Sequence, residues 1–238
     1  MKGRNFVSEL LVLAAFAAIV LCTPADSFGQ DASTFDRESI PATAAKAEGF
    51  VPKGWKIEEQ IKGDVTADGV SDVLLKLIED KPKKDDEFVD RNRVLVIAVA
   101  DGNGGFRNAA VADKLLQCTS CGGAFYGVVD APANVSIEKG VIAVNQDHGS
   151  RWVSDITFKF RYDEQPNMFI LIGFDYSTRD RAEASVVSES INYLTGKRIA
   201  TNSKGKKTTA TIAKKRWSIE EVDSEEFESA AAKRLGVD

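Results

Sequence analysis

Ser154-Asp155-Ile156-Thr157-Phe158-Lys159-Phe160-Arg161-Tyr162 is the stretch whose reading decides the fold. Ile156, Phe158, Phe160 and Tyr162 fall at every second position, separated by Thr157, Lys159 and Arg161. Successive side chains of a strand point to opposite faces. The stretch therefore predicts a strand with one buried face and one wet face. Phe169 to Tyr176 follows across Asp163-Glu164-Gln165-Pro166-Asn167, which predicts a hairpin.

Working outward, Asn134 to Ile137 and Val141 to Asn145 flank Glu138-Lys139-Gly140 as a second hairpin. Ala184 to Thr195 reads as a strand, and Lys197 to Thr201 pairs with Thr208 to Lys214 across Asn202 to Lys207. Upstream, Trp55 to Glu58 and Val73 to Ile78 read as strands. Arg93-Val-Leu-Val-Ile-Ala-Val-Ala100 shows no alternation, the profile of a central strand buried on both faces. Short helical pieces are expected at Ala42 to Glu48 and at Asp113 to Gln117. Ser224 to Leu235 reads as a helix, with Ser224 as N-cap, Lys233 and Arg234 in the last turn and Gly236 as its stop. The expectation is a mainly β protein, an antiparallel sheet or sandwich of roughly eight to ten strands with short terminal helices.

The chain has 238 residues, a formal net charge of −5 and 43% hydrophobic residues, an ordinary globular composition. Lys2 and Arg4 precede an unbroken apolar run of 13 residues, Leu10 to Cys22. A bilayer span needs about 20, so a cleaved signal peptide over residues 1–29 is expected, with Ser27 and Gly29 as the small residues before the cut. The mature chain is then extracytoplasmic, periplasmic or secreted, and not transmembrane. A polar segment over 30–49, a β-domain over 50–217 and an acidic tail or helix over 218–238 complete the expected division.

Between two expected strands lies Gly63-Asp64-Val65-Thr66-Ala67-Asp68-Gly69-Val70-Ser71-Asp72. Its oxygens suit a hard cation such as Ca²⁺: side chains of Asp64, Thr66 and Asp68, the Val70 carbonyl, and Asp72 to close the cage. An EF-hand would place Glu where Leu75 stands and would need flanking helices. The other reading of the same residues is a solvated turn whose aspartates cap backbone amides. Through Asp64, Asp68, Gly69 and Asp72 the loop resembles the β-hairpin calcium loop of FG-GAP and integrin-α-type repeats, and it departs from that pattern at Thr66, which implies weaker binding. Only a single copy is present, so the resemblance extends to the local hairpin and not to a propeller. Together with Phe50 to Trp55, Cys118-x-x-Cys121-Gly122-Gly123 and Ser190 to Lys197, the loop resembles uncharacterised bacterial secreted proteins that carry one such repeat. That resemblance implies bacterial export and an all-β fold, and implies no activity.

Cys118-Thr119-Ser120-Cys121 can be a structural disulfide, a redox pair, free thiols or part of a metal site. Gly122-Gly123 is poor sequence for starting the helix a thioredoxin-like site requires, and no second Cys pair completes a zinc set. His148 is the only histidine; Asp147 and Ser150 stand nearby, but neighbouring strand residues face opposite ways and no Gly-x-Ser-x-Gly elbow is present. Lys197 to Arg216 is basic without an acid: a contact for an anionic polymer, or, the favoured reading, a solvated hairpin whose charge the acidic Glu220 to Glu228 partly offsets. Net acidity and the lack of aromatic residues between Lys197 and Arg216 argue against nucleic acid. Asn134-Val135-Ser136 is a glycosylation sequon, relevant in a eukaryotic host. The expected function is a non-enzymatic exported β-domain with one weak structural Ca²⁺ loop, serving as a binding or envelope-associated module. The alternative is a periplasmic thiol-disulfide or carbohydrate-active enzyme. An interaction partner of an exported enzyme would instead display an exposed apolar patch.

Overall fold

The computed structural model describes residues 35–82 and 89–237, so the expected signal peptide lies outside the described residues. The described chain is mainly β. It forms two antiparallel sheets stacked as a sandwich. The five-stranded sheet runs β1-β5-β4-β3-β2, with β1 Thr43–Ala44, β2 Trp55–Gly63, β3 Asp72–Glu79, β4 Arg93–Ala100 and β5 Phe106–Ala112. The seven-stranded sheet runs β12-β11-β10-β9-β8-β7-β6. Its strands are β6 Ala133–Glu138, β7 Val141–Gly149, β8 Trp152–Asp163, β9 Met168–Asp180, β10 Ser185–Asn192, β11 Lys197–Thr201 and β12 Lys207–Thr211. One helix, α1, spans Ser224–Leu235.

The two strand patterns in the sequence correspond to two environments. On β8, Ile156, Phe158 and Phe160 are buried in the core between the sheets, while Asp155, Lys159 and Arg161 are exposed on the outer face. On β3 and β4 both faces are covered. Leu74, Leu95, Ile97 and Val99 join the core shared with the larger sheet. Val73, Leu75, Leu77, Val94, Val96 and Ala98 join a second core, closed by Ile40, Ala47 and Phe50. Phe50 is fully buried there, and Phe35 meets Trp55 edge-on with ring centroids 5.0 Å apart.

Within the segment expected to be polar, residues 35–49 contribute β1 and the buried Ile40 and Ala47 to the sandwich. No helix forms over 42–48. Thr43 and Ala44 pair instead with Arg107 and Phe106, and a 3-10 turn follows at Ala47–Phe50. Burial of Ala47 and Phe50 against β4 outweighs the helix propensity of an alanine-rich run. Asp113 to Gln117 is likewise a bend and not a helical turn. Leu115 and Leu116 are buried in the core, and the side-chain oxygen of Gln146 accepts from the Gln117 amide at 2.5 Å.

A strap, residues 217–222, clips the sheets together. Leu171 of β9 donates its N–H to the Trp217 carbonyl at 2.9 Å, and the Glu220 carboxylate accepts from Val111 N of β5 at 3.0 Å. Ile219 and Val222 are buried in the shared core. Helix α1 then lies on the inner face of the larger sheet, where Phe227 packs on Phe158, Phe174 and Trp217. Its N-cap is Asp223 and not Ser224: Asp223 accepts from Glu225 N and Glu226 N, while the Ser224 hydroxyl meets Gln146 at 3.2 Å. Gly236 ends the helix in the left-handed conformation as expected.

Candidate functional site

The acidic loop joins β2 to β3, and its side chains have well-defined partners. Asp64 accepts from Ala67 N (2.6 Å), Asp68 N (3.2 Å) and Gly69 N (2.9 Å). Asp68 accepts from Val70 N at 2.8 Å. Ala67 and Gly69 turn the chain with positive φ, which brings these amides inward. Asp72 is fully buried. One of its oxygens accepts from Val65 N (3.0 Å), Thr66 N (3.3 Å) and the Thr66 hydroxyl (3.3 Å). The other accepts from Ala100 N at 3.0 Å. Asp72 thus ties the loop to the end of β4 and holds Val65, only 1% exposed, in the shared core.

A Ca²⁺ cage needs six to eight oxygens directed at one point. The carboxylates here are directed at N–H groups, and Thr66 is turned to Asp72. Among the described residues no three His, Cys, Asp or Glu side chains gather as a metal cluster. Of the five residues expected as ligands, Asp64, Thr66 and Asp72 are engaged in capping the loop, Asp68 caps Val70, and the Val70 side chain is exposed.

Cys118 and Cys121 form a disulfide with Cα atoms 5.1 Å apart. It opens a 3-10 segment, Thr119–Phe125, which is kinked at Gly123, and no α-helix follows to lower a thiol pKa. The segment fits closely against the end of β7. A side chain at Gly123 would meet the Gly149 carbonyl at 2.7 Å, and one at Gly149 would meet the Trp152 carbonyl at 2.0 Å. Both positions have positive φ, so glycine is required on two counts. Beyond the segment, Val128 and Val129 are 82% and 63% exposed.

Asp147 and His148 face opposite sides of the sheet, as neighbours on a strand must. Asp147 accepts from the Tyr126 hydroxyl at 2.7 Å; burial and that hydrogen bond push the phenol up to about 12. His148 faces inward to Glu228 of α1 at 3.1 Å. The Glu228 hydrogen bond raises its pKa above the ordinary value and outweighs the opposing effect of burial. Asp147 and Glu225 add to the rise. Among the described residues no hydroxyl hydrogen-bonds His148; its cross-strand neighbour Ser154 meets the Tyr176 hydroxyl at 3.3 Å.

The sequence did not single out Glu189. Its side chain is fully buried on the inner face, where it accepts from Arg198 at 2.6 Å and from Arg234 of α1 through both oxygens. Its place between Val187 and Ile191 in the alternation was the available signal. Its partners come from β11 and from α1, which a local pattern cannot supply. Two carboxylates, Asp155 and Asp175, line a shallow trough on the outer face with Ser188, Thr201 and Lys207. Asp175 is engaged by Lys159 (2.8 Å) and Ser190 (2.6 Å).

The basic stretch forms the β11–β12 hairpin and the residues after it. Arg198 is turned inward to Glu189, Arg216 pairs with Asp163 at 3.2 Å, and the Lys215 ammonium sits over the Trp217 ring. Lys197, Lys204, Lys206, Lys207 and Lys214 are exposed, and none is within ion-pair distance of a carboxylate among the described residues. Also among the described residues, no helix is long and apolar enough to cross a membrane. No protein-family model, curated protein or solved structure matches this chain.

Proposed function

We propose that the chain is an exported, non-enzymatic β-sandwich, a binding module that engages an anionic envelope or extracellular partner through the β11–β12 hairpin. The observation that carries this reading is the set of exposed lysines at 197, 204, 206, 207 and 214. They belong to one hairpin and its flanks in a chain whose net charge is −5, and none is within ion-pair distance of a carboxylate among the described residues. Charge segregated in this way concentrates an anionic partner at one site while the rest of the surface repels it. The resemblance to bacterial secreted proteins supports export. In the same reading the acidic loop is a structural staple that holds at most a weak cation, because its carboxylates are already satisfied by backbone amides.

The test is binding of inorganic polyphosphate to the mature chain, followed by calorimetry at two salt concentrations. Affinity that falls with salt, and is lost when Lys204, Lys206 and Lys207 are changed to Glu, supports the proposal. Binding that ignores both changes, or no binding at all, refutes it.

A further inference from the structure

We propose that β12 is a docking edge, on which an extended acidic peptide segment of a partner protein adds as an eighth strand of the larger sheet. The inference rests on the basic-hairpin reading above and specifies the partner as a strand and not a flexible polyanion.

Edges of sheets are normally blunted or covered. At the opposite end of this sheet β6 is packed against the smaller sheet: Ile137 lies so close to Gly63 of β2 that a side chain at Gly63 would meet it at 3.0 Å. In the smaller sheet β1 is only two residues long, and β2 carries a bulge between Ile57 and Glu59. By contrast β12 is regular, pairs with β11 without a register break, and is exposed at every residue.

The hydrogen-bond phase shows what this edge offers. Asn202 N donates to the Lys206 carbonyl at 3.1 Å, and Ile212 N donates to the Gly196 carbonyl at 2.8 Å. Pairs that exchange such bonds recur at every second residue of an antiparallel ladder. Thr208↔Ala200 and Ala210↔Arg198 are therefore the bonded pairs between them. The N–H and C=O groups of Lys207, Thr209 and Thr211 point the other way, to the open side. They form a row of alternating donors and acceptors spaced for one more antiparallel or parallel strand. Three of the strand's five residues are threonines, which favour extended backbone.

Charge selects the occupant. If a second copy of β12 paired antiparallel about Thr209, Lys204 of each copy would lie opposite Lys214 of the other, and Lys206 and Lys207 would add like charge. A strand carrying acids meets the same lysines favourably. The edge thus refuses its own copy and accepts an acidic one, the positive and negative halves of specificity.

The experiment titrates the mature chain with a peptide alternating Glu with Val or Thr, with the same peptide N-methylated at alternate residues, and with inorganic polyphosphate. Thr209→Pro is the protein variant. It removes an N–H that faces the open side and leaves the ladder to β11 intact, so the fold tolerates it at an edge; its melting curve checks this. The peptide is expected to bind, and N-methylation of the peptide and Thr209→Pro are each expected to weaken it by about tenfold or more. Polyphosphate binding should not change in Thr209→Pro. If N-methylated and parent peptides bind equally, or polyphosphate binds and the peptide does not, the strand-docking inference falls while the anionic-partner reading stands. If neither binds, both fall. A dimer of the free chain that Thr209→Pro dissolves would overturn the choice of occupant. Should Thr209→Pro fail to fold, the N-methylated peptide still decides the question.

Discussion

The two sheets are built from similar strands and have opposite surroundings. The central strands β3 and β4 of the five-stranded sheet are enclosed, with the larger sheet on one face and residues 35–51 on the other. The seven-stranded sheet has one dry face, a polar outer face and an open end at β12. An enclosed sheet has few atoms left to meet a partner. The side chains of β3 and β4 answer to packing, and the proposed recognition edge lies on the sheet that keeps a face and an edge in water.

Adjacent residues on β8 give the sharpest way to break this contrast. Phe160→Ala should destabilise the protein by about 3–5 kcal/mol, because a fully buried ring leaves a cavity. Arg161→Ala, one residue on and exposed, should change stability by no more than about 0.5 kcal/mol. Denaturant unfolding reads both, and similar losses would mean that the outer face is covered.

Within the acidic loop the same comparison operates on carboxylates. Asp72→Ala should cost about 3 kcal/mol, since buried amides at Val65 and Ala100 lose their acceptor. Asp68→Ala should cost about 1 kcal/mol, for it caps one exposed amide. Addition of Ca²⁺ should leave the melting temperature of the wild type nearly unchanged. A rise of several degrees that Asp68→Ala abolishes would make the loop a cation cage and overturn the staple.

Replacing Cys118 and Cys121 together by Ser should cost about 2 kcal/mol, the entropy of a very short closed loop. The loss should register in thermal melting, with β11–β12 binding untouched. A change in binding would link two ends of the larger sheet that the fold keeps apart.

The smallest effect concerns the inner face under α1. The folded pKa of His148 is raised, so its pair with Glu228 contributes fully below the unfolded value of about 6.5 and is lost as pH rises through the folded pKa. Glu228→Gln should therefore destabilise by about 1 kcal/mol at pH 6 and by progressively less toward pH 8. The other charges near His148 are Asp147 and Glu225, which act in the same direction. A penalty that grows with pH would contradict the pairing.

Patterns set by a single strand were legible before the structure. Arg93–Ala100 appears with the bounds its unbroken apolar run implied, and α1 spans the expected residues. The count of strands was not: twelve occur among the described residues, against roughly eight to ten expected. Two-residue β1 exists only because β5 pairs with it, and its own sequence favours helix. The site followed the same division. Asp64, Asp68 and Asp72 announce a turn of some kind, but that Asp72 also caps Ala100, 28 residues away in the chain, is not written in the loop itself. The lysines of the hairpin could be counted in the sequence. That β12 ends the sheet, and which of its amides are free, required the register.

Arg37 holds the Asp113 carboxylate and, at 2.8 Å, the Glu220 carbonyl. The first described turn is thus fastened to the strap that precedes α1, and the core under α1 includes residues as far along as Leu235. The clasp joins positions 183 residues apart, so the core under α1 is complete only with both ends of the described chain in place, whereas the second core draws on residues 35–111 alone.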